Sequence, residues 1–222
     1  LALAPLPLPF VPSRGSVQSF EKAREQARVQ LQARNSGEQV YERLPVEVGV
    51  GLSLLPEPSD ADIFLDFEGD PFVEPAALKR LMGRYGSRED EIDRLLRASV
   101  FVDLYAVVRN AIRAGVESYS IKKLEPLFGY AREKPMDAAN LALSRLQADL
   151  ELGQPDEIPQ SIKDDVQAYN KDDCLATLAL RDWLEQIRNE AIADGNTIDR
   201  PEPGDGSASQ DLNEWILRVN AL

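Results

Sequence analysis

Two short acidic segments, more than a hundred positions apart, carry the side chains of this chain that could do chemistry. The first segment, IFLDFEGD, reads as a buried strand, and its Asp66 and Glu68 point to the same face because they lie two positions apart. The second segment, YNKDD, reads as the start of a helix, where Tyr169 and Asp173 share a face because they lie four positions apart. The pattern therefore predicts three carboxylates and one phenol at a single site.

The chemistry that suits these residue types is hydrolysis of a phosphodiester. Converging carboxylates bind hard divalent cations such as Mg²⁺ or Mn²⁺ through oxygen. Two such ions about 3.5–4 Å apart can stabilise both the attacking and the leaving oxygen of an in-line displacement. We expect Asp66, Glu68 and Asp173 to be metal ligands and catalytic residues. Tyr169 is the fourth catalytic candidate, because a tyrosine beside the ions can orient or help deprotonate the attacking water.

The composition of the chain excludes several classes of catalytic and metal site. The chain has 222 residues, a net charge of −13 and no histidine, so serine–histidine and cysteine–histidine catalysis and histidine metal motifs are excluded. The net negative charge disfavours binding of nucleic acid through a broad basic surface, although carboxylates that hold metals contribute to that charge. The single cysteine fits a reducing cytoplasm, and no apolar run is long enough for a transmembrane helix.

Each candidate also has an ordinary structural explanation. Asp66 and Glu68 could be solvated at the end of a strand, and Tyr169 with Asp173 could belong to the solvated face of an acidic helix. Asp172 lies one residue off the shared face, so we expect it at the surface. Lys122 and Lys123 are possible phosphate contacts, but basic residues on short helices are usually solvated.

Apolar periodicity and turn residues predict a mostly helical order of elements with two strands. We expect residues 1–60 to be a Pro-rich lead-in with a helical arm, residues 61–195 to be the main domain, and residues 196–222 to be a linker with a short helix. Strands are predicted at 39–44 and 62–68. Helices are predicted at 17–34, 74–85, 89–99, 100–114, 118–128 (closed by Gly129), 137–152, 161–194 and 210–221.

The acidic segments resemble motifs of the DnaQ-like DEDD 3′–5′ exonucleases whose third motif is Y-x-x-x-D. Asp66-Phe67-Glu68 matches the first motif D-x-E, and Tyr169 to Asp173 matches the third. Between them, FVDLYAVVR and SYSIKKLEPLFG match two further segments in the same order. The residues in and around these motifs resemble more closely still the YprB-type ribonuclease H-like domain of RecB-like nucleases, in which D-x-E-G-D-P and Y-N-x-D-D-C-x-A-T recur.

The resemblance implies an α/β fold, in which a ribonuclease H-like mixed sheet is flanked by helices and preceded by the helical arm. It implies two Mg²⁺ or Mn²⁺ ions, with Glu74 as a fourth ligand. Asp103 competes for that role but matches a position behind the ligands, and a helix cap or a hydrogen-bonding group in the core explains it better. The implied activity is 3′–5′ exonuclease action on single-stranded nucleic acid, DNA more than RNA.

This sequence departs from the family pattern in the segment that should supply the middle strands of the sheet. A ribonuclease H-like sheet needs two more strands between the first and second motifs, whereas only Pro71-Phe72-Val73 separates Asp70 from Glu74. Either the natural chain carries a further segment here, or it has lost its central hairpin. In the second case the protein could be a non-catalytic docking module, and a metal-dependent phosphatase is a third alternative. Because the chain begins without methionine, we expect it to be part of a longer protein. The resemblance implies that the longer protein also carries helicase or RecB-like nuclease domains.

Overall fold

Helices dominate the part of the chain that the structure describes. The computed structural model describes residues 16–65, 83–133, 136–153, 155–208 and 218. Its elements, in chain order, are α1 (Val17–Ser36), β1 (Tyr41–Arg43), a 3₁₀ turn (Gly51–Leu54), α2 (Glu89–Arg97), α3 (Leu104–Ala111), β2 (Ile112–Ala114), α4 (Ile121–Phe128), α5 (Met136–Glu151), a second 3₁₀ turn (Pro155–Glu157) and α6 (Gln160–Ala193).

The helical arm predicted at 17–34 is present as α1, and it packs against the rest of the fold. Ser16 caps its first turn by accepting a backbone N–H, and Gly37 ends it in the left-handed conformation at φ 69°. Val29 is fully buried. Gln26 Nε2 donates to the carbonyl of Ala114 at 2.8 Å, which fixes the helix against β2.

The sheet that the described residues form has two antiparallel strands, with Tyr41 opposite Ala114 and Arg43 opposite Ile112. The strand predicted at 39–44 is confirmed as β1. The helix predicted at 100–114 is wrong at its end, because Ile112–Ala114 leaves the helix to pair with β1. A Cβ on Gly115 would lie 2.5 Å from the Cβ of Ala33, so glycine is what lets α1 approach the end of β2.

The mixed sheet is not found in the described ranges. Residues 62–65, the first part of the strand predicted at 62–68, have no strand pairing there, and residues 66–68 lie outside those ranges. A strand needs a partner for its backbone N–H and C=O groups, and an apolar sequence alone does not supply one. Helices instead cover the small sheet.

The hydrophobic core lies where α3, β2, α4 and the second half of α6 meet. Trp183 of α6 is buried and meets the Tyr41 ring edge-on, with 5.1 Å between ring centroids. The remaining buried members of this core are Leu52, Leu55, Val107, Val108, Ala111, Ile112, Ala114, Val116, Leu124, Leu180, Leu184, Ile187, Ala191 and Ile198.

Other helix predictions agree with the structure to within a few residues. The predictions at 89–99, 118–128, 137–152 and 161–194 correspond to α2, α4, α5 and α6, and Gly129 closes α4 in the left-handed conformation as expected. The lead-in at 1–15 and most of the helices at 74–85 and 210–221 lie outside the described residues. The domain boundaries stay predictions. Among the helices that the structure describes, none has the length and apolar character needed to span a membrane.

Candidate nuclease site around α6

Tyr169 and Asp173 lie one turn apart in the first half of α6, and both are buried. Arg132, in the loop after α4, contacts both of them. Its Nη2 donates to Asp173 Oδ1 at 2.5 Å, and its guanidinium carbon lies 5.6 Å from the centroid of the Tyr169 ring. The two residues therefore share a face of the helix, as their spacing indicated.

Arg132 is also paired with Glu125 of α4. Its Nε and Nη2 donate to Glu125 Oε1 at 2.9 and 2.6 Å, so one guanidinium joins two carboxylates. The side chains of Arg132, Glu125 and Asp173 are 8, 10 and 3% exposed. Burial disfavours the charged guanidinium, but the hydrogen bonds to both carboxylates outweigh it and raise the pKa of Arg132.

Sequence reasoning missed Glu125 and Arg132. Glu125 lies within the quoted segment SYSIKKLEPLFG, where it reads as one more charge on a short helix. The signal that could have found the pair is indirect: a carboxylate buried on a helix needs a cation or a metal beside it. For Asp173 this cation is Arg132, which lies 41 residues earlier in the chain. Nothing in the sequence around Asp173 indicates that contact.

Lys122 is the second cation at this site. Its Nζ donates to the phenol oxygen of Tyr169 and lies 4.7 Å from the centroid of that ring. Burial lowers the pKa of Lys122, but the hydrogen bond to Tyr169 and the nearby charge of Asp173 outweigh that effect, and the pKa rises. Lys123, the other predicted phosphate contact, is exposed.

The prediction that Asp172 lies at the surface is wrong. Its residue exposure is 4%, and Tyr130 donates its hydroxyl to Asp172 Oδ1 at 2.9 Å. Burial and this hydrogen bond together raise the pKa of Tyr130 to about 12. The loop that follows α4 brings both Tyr130 and Arg132 onto α6. The buried side of α6 therefore includes Asp172 as well as the face that Tyr169 and Asp173 share.

Asp103 is the N-cap of α3. Its Oδ1 accepts the backbone N–H of Ala106 at 3.1 Å, which satisfies one of the donors that the first turn of a helix leaves unpaired. The residue is exposed. The cap, which the sequence offered as the alternative to a metal-related role, is the contact that the structure contains.

Asp66, Glu68 and Glu74 lie outside the described residues. Residues 62–65, which immediately precede Asp66 in the chain, lie against α6. Arg181 of that helix donates to Asp62 Oδ2 at 2.6 Å, and its guanidinium carbon lies 5.1 Å from the Phe64 ring centroid. The segment that leads to the first acidic motif is thus attached to the helix that carries the third.

Of the predicted metal ligands, Asp173 is the one that lies within the described residues. Among them, no group of three aspartate, glutamate, cysteine or histidine side chains could hold a metal ion. The chemistry of the predicted donor set, four carboxylates, suits a hard divalent cation. Asp173, however, already has one oxygen bound to Arg132, so a cation at this oxygen would compete with the guanidinium.

A comparison with known protein families gives one match. The family model RNase_H_2, described as "RNase_H superfamily", matches residues 56–185, which is more than half of the 222 residues. The matched range includes both acidic motifs and ends within α6. No curated protein and no solved structure shows a significant match to the chain.

Proposed function

Because this chain belongs to the RNase H superfamily, we propose that it is a two-metal-dependent nuclease that shortens single-stranded nucleic acid from the 3′ end. Its partner is nucleic acid, DNA more than RNA. The observation that carries the proposal is the pairing of Tyr169 and Asp173 on a buried face of α6, next to Lys122 and Arg132. Side chains so placed are poised to act on a phosphodiester.

In this proposal the carboxylates hold two Mg²⁺ or Mn²⁺ ions. Asp66 would be the ligand shared by both ions, Glu68 and Asp173 would hold one of them, and Glu74 would complete the set. When bound, the ions would stabilise the negative charge that develops on the attacking and leaving oxygens. Support comes from residues 62–65, which lie on α6 and lead directly to Asp66.

Tyr169 is the group that we expect to orient the attacking water. An ammonium group can only donate hydrogen bonds, so Lys122 uses the phenol oxygen of Tyr169 as an acceptor. The phenol's own hydrogen stays available to donate to a water or to a phosphate oxygen. Lys122 therefore fixes the position of the phenol and leaves the phenol's hydrogen free to bond to the water or to the substrate.

Arg132 adds positive charge beside the same phenol. Its Nη1 is buried without a hydrogen-bond partner among the described residues. A buried unpaired donor costs roughly 1–3 kcal/mol. Because Nη1 is closed off from solvent and the guanidinium is already paired with Glu125 and Asp173, we assign the contact with a substrate phosphate to Lys122 and the positioning of Asp173 to Arg132.

A second candidate function is a catalytically inactive module that docks nucleic acid or partner domains of a longer protein. The ion pair between Arg132 and Asp173 favours it, because a guanidinium already satisfies the carboxylate without metal. The two-stranded sheet among the described residues favours it as well, since it is smaller than the sheet a ribonuclease H-like site requires.

The test is Mn²⁺-dependent degradation of 5′-labelled single-stranded DNA and RNA by the full chain. We expect a ladder that shortens from the 3′ end and disappears when the metal is chelated. Asp173→Asn and Tyr169→Phe should each reduce the rate by about 100-fold or more, because a positioned acid or base contributes roughly 10²–10⁴-fold.

The matched control is Glu190→Gln, which changes an exposed carboxylate on the same helix whose hydrogen bond is with Gln186 and not with Arg132 or Arg181. This variant should cleave at the wild-type rate. Circular dichroism must show that all variants remain helical. If the folded wild-type chain does not cleave either substrate with Mn²⁺ or Mg²⁺, the nuclease proposal is wrong and the docking module takes its place.

A further inference from the structure

A cavity of about 340 Å³ lies between α5 and α6, directly beside Tyr169. Leu143 and Leu146 of α5 form one wall, and Val166 of α6 forms part of the other. Binding sites for small ligands in proteins have volumes of roughly 300–1,000 Å³ and mostly apolar walls with a few polar groups. The cavity is therefore large enough for one small, flat ligand.

The polar groups of the cavity come from α6. Gln167 and Asn170 contribute amides, each with two donor hydrogens and an acceptor oxygen, and Lys163 contributes an ammonium. Adjacent donors and acceptors of this kind match the hydrogen-bonding edge of a nucleobase. An ammonium at the rim suits a phosphate that is attached to the same nucleotide.

Tyr169 belongs to both the cavity and the candidate catalytic site. It lines the cavity, while its hydroxyl accepts the hydrogen bond from Lys122. Aromatic side chains bind unpaired bases by stacking, which contributes roughly 1–3 kcal/mol per base. A base held in this cavity would thus contact the same tyrosine that Lys122 contacts.

The charge of the chain gives a reason to expect such a pocket. With a net charge of −13, the protein cannot rely on broad electrostatic attraction to hold a phosphate backbone. Apolar burial and hydrogen bonds to a base are much less affected by that charge. The affinity for nucleic acid would then reside in local contacts of this kind.

We propose that the cavity between α5 and α6 binds one nucleobase of the substrate strand next to the phosphate to be cleaved. The proposal rests on the proposed nuclease function for the identity of the ligand. Leu143, Leu146 and Val166 enclose the flat faces of the base. Gln167 and Asn170 bind its edge, and Lys163 contacts the phosphate of that nucleotide.

The experiment is a calorimetric titration of the full chain with adenosine 5′-monophosphate in the presence of a chelator, so that no cleavage contributes. Ribose 5-phosphate, which has the sugar and phosphate but no base, is titrated in parallel. We expect saturable binding of the nucleotide that is at least tenfold tighter than that of ribose 5-phosphate. Equal affinities would overturn the proposal, as would the absence of binding.

Two substitutions locate the binding. Leu143→Trp fills the cavity and should weaken nucleotide binding at least tenfold, whereas Leu141→Trp changes an exposed leucine on the same helix and should leave it unchanged. Gln167→Leu removes one amide from the cavity at an exposed position, so it does not force a larger side chain into the fold. This substitution should also weaken nucleotide binding. Wild-type affinity in both Leu143→Trp and Gln167→Leu would overturn the proposal.

The titration and the cleavage assay separate the two proposals. If the chain does not cleave nucleic acid but Leu143→Trp still loses nucleotide binding, the nuclease proposal fails and the base pocket stands. If the chain cleaves at the expected site but binds ribose 5-phosphate as tightly as the nucleotide, the base pocket fails and the nuclease proposal stands.

Discussion

Arg132 and Asp173 form a buried ion pair, with Nη2 of the arginine 2.5 Å from Oδ1 of the aspartate. This guanidinium occupies an oxygen of the one predicted metal ligand that the structure describes. A buried pair of this kind need not stabilise a fold more than apolar residues would, but breaking it is costly because one charge stays behind unpaired. The pair therefore makes predictions for stability and for metal binding.

Arg132→Leu should destabilise the fold by about 3–5 kcal/mol, because it leaves Glu125 and Asp173 buried without their shared cation. The free energy of unfolding is measured by urea denaturation at pH 7. Lys171→Leu is the control, since the contact of Lys171 with Glu133 is 3.9 Å long and exposed. It should change stability by less than about 1 kcal/mol. Equal effects of the two substitutions would show that the Arg132 pair is energetically a surface pair.

Arg132→Gln should tighten the binding of Mn²⁺ if Asp173 is a metal ligand. The substitution removes the competing charge and retains hydrogen-bonding groups. We expect an increase in affinity of about tenfold, equivalent to 1.4 kcal/mol, measured from the electron paramagnetic resonance signal of free Mn²⁺. Asp173→Asn should abolish the increase. An unchanged affinity in Arg132→Gln would mean that the cation and the metal do not share this carboxylate.

Tyr130 should ionise late in an alkaline titration. Its pKa is raised from 10.0 to about 12 by burial and by the hydrogen bond to Asp172. Ultraviolet absorbance at the tyrosinate band should show a late phase that disappears in Tyr130→Phe. Asp172→Asn removes the negative charge but not the burial, so it should lower the pKa only part of the way to 10.

The same shift affects stability in a defined pH window. Because the folded-state pKa of Tyr130 is the higher one, its contribution to stability is complete below about pH 10 and is lost as the pH rises through about 12. Unfolding free energies at pH 9 and pH 11 should therefore differ less in Tyr130→Phe than in the wild type. An equal difference in both proteins would contradict the assignment.

Arg181 and Asp62 should act together in positioning the first acidic motif. Their ion pair holds residues 62–65 on α6, and Asp66 follows directly. Arg181→Gln and Asp62→Asn should each lower kcat about tenfold, with less than about 1 kcal/mol loss of stability because the pair is only partly buried. The double variant should be no slower than either single one. Additive losses would show that the two side chains act independently.

The sequence predicts most of the helices and the shared face of Tyr169 and Asp173 well, because these depend on local periodicity. Tyr169 and Asp173 share a face for the same reason that α6 is a helix, and Gly129 ends α4 through its own conformational freedom. Contacts between distant segments are different. Arg132 reaches Asp173 through the path of the loop after α4, and no local pattern encodes that path.

The errors at Asp172 and at Ile112 have the same origin. Asp172 was assigned to the surface from its angle on a helical wheel, but Tyr130 from the preceding loop covers that side. Ile112 continues an apolar helical pattern, and pairing with Arg43 takes it into a strand. In both cases a tertiary partner overrides the local preference, as it commonly does for short elements.

The single helix α6 serves two separate purposes along its length. Asp173 is fourteen residues from Ile187, or about 21 Å along the axis, and the core members of the helix begin at Leu180. Substitutions so far apart normally have independent effects on stability. The activity that we propose for the Asp173 end can therefore be lost by mutation while the end from Leu180 to Ile187 still holds the fold, so inheritance of this architecture does not guarantee inheritance of an activity.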